Sequence, residues 1–509
     1  MNEKLYLGIE LGSTRIKSVL INEAGVVRAI GGYQWENELK GGLWTYSLDR
    51  VQEGLRASFA DCVKAYGGKP QIAAMGISGM MHGYLPLDGG GHLLVPFRTW
   101  RNTNTGKAAA VLTKLFGENI PLRWSISHLY QAILDKEPHV PQIDHITTLA
   151  GYVHERLTGE CVLGAGEASG CFPLLNGNYN EAYIKKFNAL IKENGYPWTL
   201  EDILPRVKKA GECAGKLTEE GARYLDPTGV LEPGIPLCPP EGDAGTGMVA
   251  TNSVLPKTGN VSAGTSSFAM VVLSEPLKKL HESIDLVTTP DGVPVAMVHC
   301  NNCTSDLNAW GNLLCEFAAC IGKKITLPDA LGALFAAAKE GTAEGLVHYN
   351  FLSGEPVAGL TEGRPLFARL PQGKMTFADF AKAQLYSCVA ALALGMEELW
   401  EENVQITEMC GHGGFFKSPE SASAVMSAAL RCPVTVWDTA GEGGAYGMAV
   451  LALYMGKEQS LPAFLNDLFA SAPKTTRTCS EEERTHFARF MALYSKGLAA
   501  EKVAVEALQ

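Results

Sequence analysis

The chain has 509 residues, 46% hydrophobic and 19% charged, which is the balance of a globular protein with room for two or more domains. Its net charge of −11 argues against a general nucleic-acid or membrane-surface binder, because either needs a basic face. No basic segment followed by an apolar one opens the chain, and no run of about 18 apolar residues occurs, so neither secretion nor membrane spanning is expected and the predicted setting is cytoplasmic. Thirteen cysteines, an odd number, are read as reduced thiols. Cys300-Asn-Asn-Cys303 has no second CxxC and no nearby His pair, which makes it two plain thiols at a strand end rather than a zinc or redox site.

In chain order, residues 4–11 read as a short apolar strand entering a Gly12-Ser13-Thr14 turn, and 16–21 resume as a second strand. Such a tip can bind an anion, and Glu10 at its mouth either faces a metal ion or is a surface acid. Residues 48–66 carry helical spacing at Val51, Leu55, Phe59 and Val63. A strand over 72–77 ends in Ser78-Gly-Met80-Met81-His82-Gly83, where His82 is either a ligand contact or a structural histidine. The polar, aromatic stretch 97–105, with Trp100, Arg101 and Asn102, suits a sugar-binding loop, since hydroxyls need paired donors while C–H faces need a ring. It equally suits a capped helix start, with Asn104 or Thr105 as N-cap of a helix over 106–116. Residues 120–235 read as mostly helical, with Gly159 as a C-cap and Glu167-Ala-Ser169-Gly170 as a turn.

Residues 239–267 stand out. Asp243 sits in Glu241-Gly-Asp-Ala-Gly-Thr-Gly247, where small residues let the backbone bend and a substrate come close. Further on, Gly264-Thr265-Ser266 repeats the small, hydroxyl-rich character of an anion cradle. One acid beside one cradle suggests phosphoryl transfer. Strands follow over 268–273 and 293–299, then a helix over 305–321 with Leu307, Trp310, Leu314 and Phe317 on one stripe. Helices over 329–339 and 377–400 come next, the latter rich in Ala as tight packing on a sheet requires. A short strand over 406–409 breaks into Cys410-Gly411-His-Gly413-Gly414, a glycine cluster before a helix over 421–430. It matches neither GxxxxGK[ST] nor GxGxxG, which excludes a P-loop kinase. A strand over 434–436 and a turn into helix from Glu442 complete the series. Each half thus opens with strand, glycine turn and strand and continues in alternating strands and helices, which implies two related α/β domains, 1–253 and 254–509, with a central cleft.

These motifs, in this order over nearly the whole chain, resemble the FGGY carbohydrate kinases of the actin–hexokinase–heat-shock ATPase superfamily, nearest the xylulose kinase branch. Gly8-Ile-Glu-Leu-Gly-Ser-Thr14 resembles the first phosphate loop, 78–83 the sugar loop, Gly264-Thr-Ser266 the second phosphate loop and 411–419 the adenosine loop. Arg156-Leu-Thr-Gly159 and Ala168-Ser-Gly170 fall where that family has similar strings. The resemblance implies two ribonuclease H-like, actin-like ATPase domains, the first binding sugar and the second nucleotide. It implies ATP-dependent phosphorylation of a primary hydroxyl on a small ketose, D-xylulose first, with Mg²⁺ as cofactor, a homodimer as the candidate assembly and no nucleic-acid or membrane partner.

Under that resemblance Asp243 is the general base. Met81, His82, Trp100, Arg101 and Asn102 hold the sugar. Gly12, Ser13, Thr14 and Lys17 hold one phosphate edge, with Gly264, Thr265 and Ser266 on the γ-phosphate and Gly411, Gly413, Gly414 and Lys417 along the nucleotide. Glu10 and Asp243 lie near the metal. Several positions depart from the family pattern. Glu10 replaces an Asp, Met80 replaces a Gln, Arg101-Asn-Thr-Asn104 stands where Asn-Asp-x-Arg is common, and Gln131-Ala-Ile-Leu134 replaces a Lys-x-Trp segment. The sugar contacts are therefore altered. L-ribulose, L-fuculose, gluconate or a polyol are the alternative substrates, and a non-catalytic ATP-binding regulator is the alternative of another class.

Overall fold

Strict alternation makes the opening segment a strand. In Lys4–Leu11 the side chains of Leu5, Leu7, Ile9 and Leu11 are fully buried, while the residues between them point to the other face. Burying each such side chain contributes about 1.5–3 kcal/mol. The computed structural model describes residues 3–438, 441 and 443–508, and the chain folds as two compact units. The first gathers Met1–Val254, Asp285–Val295 and Glu442–Ser471, the second Leu255–Ile284, Ala296–Gly441 and Ala472–Gln509. Glu442, read as the start of the last glycine turn, lies outside the described residues.

In the first unit the strand order is Gly215–Lys216, Pro236–Leu237, Gln71–Gly79, Lys4–Leu11, Arg15–Asn22 and Val27–Gln34, with Glu241–Gly242 also pairing Gln71–Gly79. Lys4–Leu11 runs antiparallel to Arg15–Asn22 and parallel to Gln71–Gly79. Helix Leu48–Tyr66 packs Val51, Leu55 and Phe59 into the core, joined by Cys62 rather than the expected Val63. Helix Gly443–Tyr454 also lies on this sheet. A Cβ at Gly8 would fall 2.1 Å from Ala445 O, and one at Gly447 would fall 2.0 Å from Thr246 O, so glycine at both positions is what permits the contact.

The second unit repeats the scheme. Its strands run in the order Pro294–Cys300, Ser267–Val272, Thr258–Ala263, Glu408–His412, Val434–Trp437 and Lys474–Arg477. Thr258–Ala263 is antiparallel to Ser267–Val272 and parallel to Glu408–His412. Helix Phe377–Glu401 is buried over most of its length, as its alanines require. No helix among the described residues is long and apolar enough to cross a membrane.

Four local readings change. Of the expected stripe in helix Ser305–Cys320 only Leu307 is buried, joined by Asp306, Gly311 and Ala318, while Phe317 is 62% exposed; a Cβ at Gly311 would fall 2.6 Å from Leu327, so the small face is the one that packs. The strand expected over 406–409 is Glu408–His412, carried on through Gly411 by ladder pairing with Val261 and Ser262. Thr105 is the N-cap of helix Gly106–Phe116, but its hydroxyl bonds Leu122 O, not the helix. The stretch 120–235 holds short strands as well as helices, among them Val162–Gly164 paired with Arg206–Lys208.

Candidate active site

Asp243 sits at a strand-to-helix junction. Glu241–Gly242 pairs with the end of Gln71–Gly79, and helix Asp243–Ala250 starts immediately after. The aspartate is thus the first residue of a helix, where the N-terminal dipole favours an anion. Its Oδ1 accepts the Ala244 N–H at 2.9 Å and the Met81 N–H at 3.3 Å. No hydrogen bond reaches Oδ2 among the described residues, and the side chain is exposed. Surrounding protein weakens solvation enough to raise its carboxyl above the usual aspartate range, despite the backbone donors that pull the other way.

His82 sits beside it in the left-handed region at φ 70°, in the tight bend that leaves the central strand. Its Nδ1 donates to Gly170 O at 3.1 Å, since a carbonyl can only accept, and its ring stacks at 6.3 Å on Trp124. Two acids outside the expected site residues complete the support. Glu241, two residues before Asp243, accepts the N–H groups of Gly166 (3.3 Å) and Glu167 (2.9 Å). Helix Ala165–Ser169 is thereby tied to the Asp243 strand at one end and, through Gly170, to His82 at the other. Burial pushes Glu241 up to about 8. Glu167 is fully buried, and burial reinforced by the charges of Asp243 and Glu241 drives its carboxyl well above the normal range. The signal for Glu241 was an acid flanked by prolines and glycine just before Asp243. For Glu167 it was an acid inside an otherwise small, apolar string.

Glu10 lies across the strand pair from Lys17 and accepts the Ala445 N–H at 3.2 Å. Desolvation, then the charge of Asp243, raises it to about 7, with Ala445 and Lys17 opposing. Two carboxylates close enough to repel make an oxygen-only donor set, which suits a hard, hydrated cation such as Mg²⁺. The turn beyond Glu10 is braced from behind. Gly12 O accepts Trp35 Nε1–H at 2.7 Å, Ser13 O accepts the Tyr46 hydroxyl at 2.6 Å, and Thr14 O accepts Trp35 N–H at 3.2 Å. With the carbonyls held, the Ser13 and Thr14 amides have no acceptor among the described residues.

The second unit has a turn of the same make. Gly264 O accepts the amide (2.9 Å) and hydroxyl (2.7 Å) of Thr304, and Thr265 O accepts Cys303 N–H at 2.9 Å. The amides of Thr265 and Ser266 again lack acceptors among the described residues. Of the three loop glycines, Gly411, inside strand Glu408–His412, faces the Phe416 ring and Gly413, at φ 98°, faces Ala263 O; only Gly414 borders open space. Those first two glycines make room for protein. Lys417 is exposed at the end of the short helical turn Gly414–Lys417.

The expected sugar loop is only partly free. Asn102, 4% exposed, accepts Trp44 N–H and donates to Trp44 O (both 2.8 Å) and Thr99 O (3.0 Å), which uses its amide to hold the loop. Arg101 stacks 4.1 Å above the Trp44 ring, and Trp100 is 37% exposed. Met81 reaches Asp243 by its backbone while its side chain is buried.

Residues 5–249 match the N-terminal domain of the FGGY family of carbohydrate kinases, and residues 259–456 match its C-terminal domain. The chain is 25% identical over 372 residues to a xylulose kinase of Escherichia coli, covering 69% of each. It is 21% identical over 496 residues to one of Haemophilus influenzae, covering 91% of this chain and 93% of that one. A ligand-bound xylulose kinase from Lactobacillus acidophilus shares the fold at TM-score 0.82 and 17% identity, over 99% of this chain and 100% of that one. A gluconate kinase from the same organism gives 0.80 at 17%, over 98% and 99%. Glycerol kinase of Plasmodium falciparum with ADP gives 0.75 at 15%, over 98% of each. The actin-like fold expected from the motifs is the fold of these kinases. The chain belongs to the FGGY family of carbohydrate kinases and is a sugar kinase, a phosphotransferase of an ATP-dependent family.

Proposed function

We propose that this kinase moves the γ-phosphoryl group of ATP to a primary hydroxyl of a small ketose, D-xylulose being the first choice, with Asp243 as the base. The observation that carries this reading is the fixed, half-used carboxylate: Oδ1 is held by two amides while Oδ2 is left to receive a proton. A raised pKa improves its basicity. In a loose transition state positioning matters at least as much, and the Glu241–helix–His82 brace supplies it. His82, the backbone of Met81, and the exposed Trp100 and Arg101 face the sugar in this proposal. Asn102 supports the loop.

Gly12, Ser13, Thr14 and Lys17 serve one phosphate edge, while the turn of Gly264, Thr265 and Ser266 offers the γ-phosphate the amides of Thr265 and Ser266, which have no acceptor among the described residues. Gly411, Gly413, Gly414 and Lys417 form the nucleotide loop, with Gly414 providing the open approach. Glu10 and Asp243 would hold Mg²⁺ through water, and the ion would neutralise charge on the phosphates. The spent amide of Asn102 favours a second reading within the same reaction, a kinase for L-ribulose, L-fuculose, gluconate or a polyol.

The test measures ADP release over pentuloses, hexuloses, polyols and aldonates. D-xylulose is expected to give the highest kcat/KM. A clear preference for another substrate replaces the named sugar. ATP binding without turnover on any of them overturns the catalytic reading in favour of a regulator.

A further inference from the structure

Apart from the residues around Asp243, the first unit holds a second cluster of metal-ligating side chains. His145 begins strand His145–Thr147, Glu155 lies in helix Leu149–Thr158, and Cys161 follows the Gly159 cap of that helix. One ligand atom from each can be chosen so that all three lie within 4.8 Å of one another. The imidazole is gripped at both nitrogens, with Nδ1 3.0 Å from Asp144 Oδ2 and Nε2 3.1 Å from Glu155 Oε2. A neutral imidazole carries one N–H and can satisfy one of these carboxylates. The other nitrogen then turns a lone pair on an anion, an arrangement that needs a cation there, either a proton or a metal. A proton would complete the His–Glu pair without help. The thiol of Cys161 is the additional donor that a metal uses.

We propose that His145 Nε2, a Glu155 carboxylate oxygen and Cys161 Sγ form a site for a divalent transition-metal ion of the zinc class, with water as fourth ligand. Tetrahedral Zn²⁺ at ordinary bond lengths puts nitrogen and oxygen ligands about 3.3 Å apart, and the His145–Glu155 separation of 3.1 Å is already close to that edge. Nitrogen and sulfur donors select zinc-class ions over Mg²⁺ or Ca²⁺. Asp144 supplies the outer carboxylate that fixes the tautomer, holding the proton on Nδ1 and the lone pair on Nε2. Uptake of the ion releases the Cys161 thiol proton to solvent and forms the metal–thiolate bond. The nearby Arg206 is engaged by Glu160 at 2.6 Å. The ion would clip the strand, the helix and the turn after it, and its binding does not depend on the sugar assignment.

The experiment uses tag-free, full-length protein without nucleotide, titrated with Zn²⁺ in equilibrium dialysis and with Co²⁺ in absorption spectroscopy. One ion per chain and a thiolate-to-cobalt charge-transfer band are expected. Cys161→Ser removes the band, and both it and Glu155→Gln weaken Zn²⁺ binding at least about 10-fold. Cys213→Ser and Cys320→Ser, at exposed free thiols, leave band and affinity unchanged, and Cys161→Ser keeps sugar-dependent ATP turnover. Absence of stoichiometric binding overturns the proposal. So does binding that survives Cys161→Ser, or a band lost in either exposed-cysteine variant.

Discussion

The turn of Gly12, Ser13 and Thr14 and the turn of Gly264, Thr265 and Ser266 are built alike. Each joins antiparallel strands, the first of which runs parallel to a later strand, and in each the carbonyls are tied back while two amides have no acceptor among the described residues. They differ in the strand that leads in. Two residues before the first glycine stands Glu10; two residues before the second stands Ser262. The braces differ as well. Trp35 and Tyr46 donate from aromatic side chains to the first turn, whereas the segment entering helix Ser305–Cys320 donates to the second. Under the proposed reaction, one backbone design would serve a phosphate edge with a cation beside it and another without, the choice being made by a single side chain.

Giving the first hairpin the residue of the second is the most severe way to break that contrast. Glu10→Ser is expected to lower kcat/KM by about 10–100-fold and to raise the Mg²⁺ concentration needed for half-maximal rate. Ser262→Ala should leave the Mg²⁺ requirement unchanged. A Mg²⁺ titration that is the same for Glu10→Ser and wild type would remove the asymmetry.

Next in size is the pH dependence of stability. Glu241 has an ordinary carboxyl in the unfolded chain and a folded pKa of about 8. Its contribution is full below about pH 4.5, declines as pH rises and is lost by pH 8, at a slope of at most about 1.4 kcal/mol per unit. Glu241→Gln should flatten this slope in urea melts between pH 5 and 8, and parallel slopes would show Glu241 ionised in the fold. The smallest effects concern the braces. Tyr46→Phe and Thr304→Val each delete one hydroxyl donor to a turn carbonyl and should each cost about 0.5–1.5 kcal/mol. Each should also raise the KM for ATP, and a KM untouched by either would separate that turn from the nucleotide.

Much of this was legible in the chain because it is local. Alternation marked the strand hairpins, glycine and hydroxyl residues marked the turns, and Asp243 was conspicuous among small residues. What escaped depends on contacts far apart in sequence. Asn102 looked like a sugar ligand because nothing in 97–105 reveals that Trp44 takes its amide. Gly411 and Gly413 looked like room for a nucleotide, and the fold gives each a second reason to be glycine, since a Cβ there would meet the Phe416 ring or Ala263 O. The small residues around Asp243 suggested a sharp bend open to a substrate. They form helix Asp243–Ala250, whose Thr246 carbonyl is approached by Gly447 of another helix. Glu167 and Glu241 carried only a local hint, an acid among small, apolar or proline residues, and their burial shows only once the distant segments packed on them are known.

The claim on which the rest depends is that Asp243 accepts the sugar proton. Asp243→Asn keeps the size and the Oδ1 acceptor but removes the base. Measured beside wild type on the best sugar of the panel, kcat should fall by at least about 10²-fold while ATP affinity stays the same. A kcat within a few-fold of wild type would contradict the account.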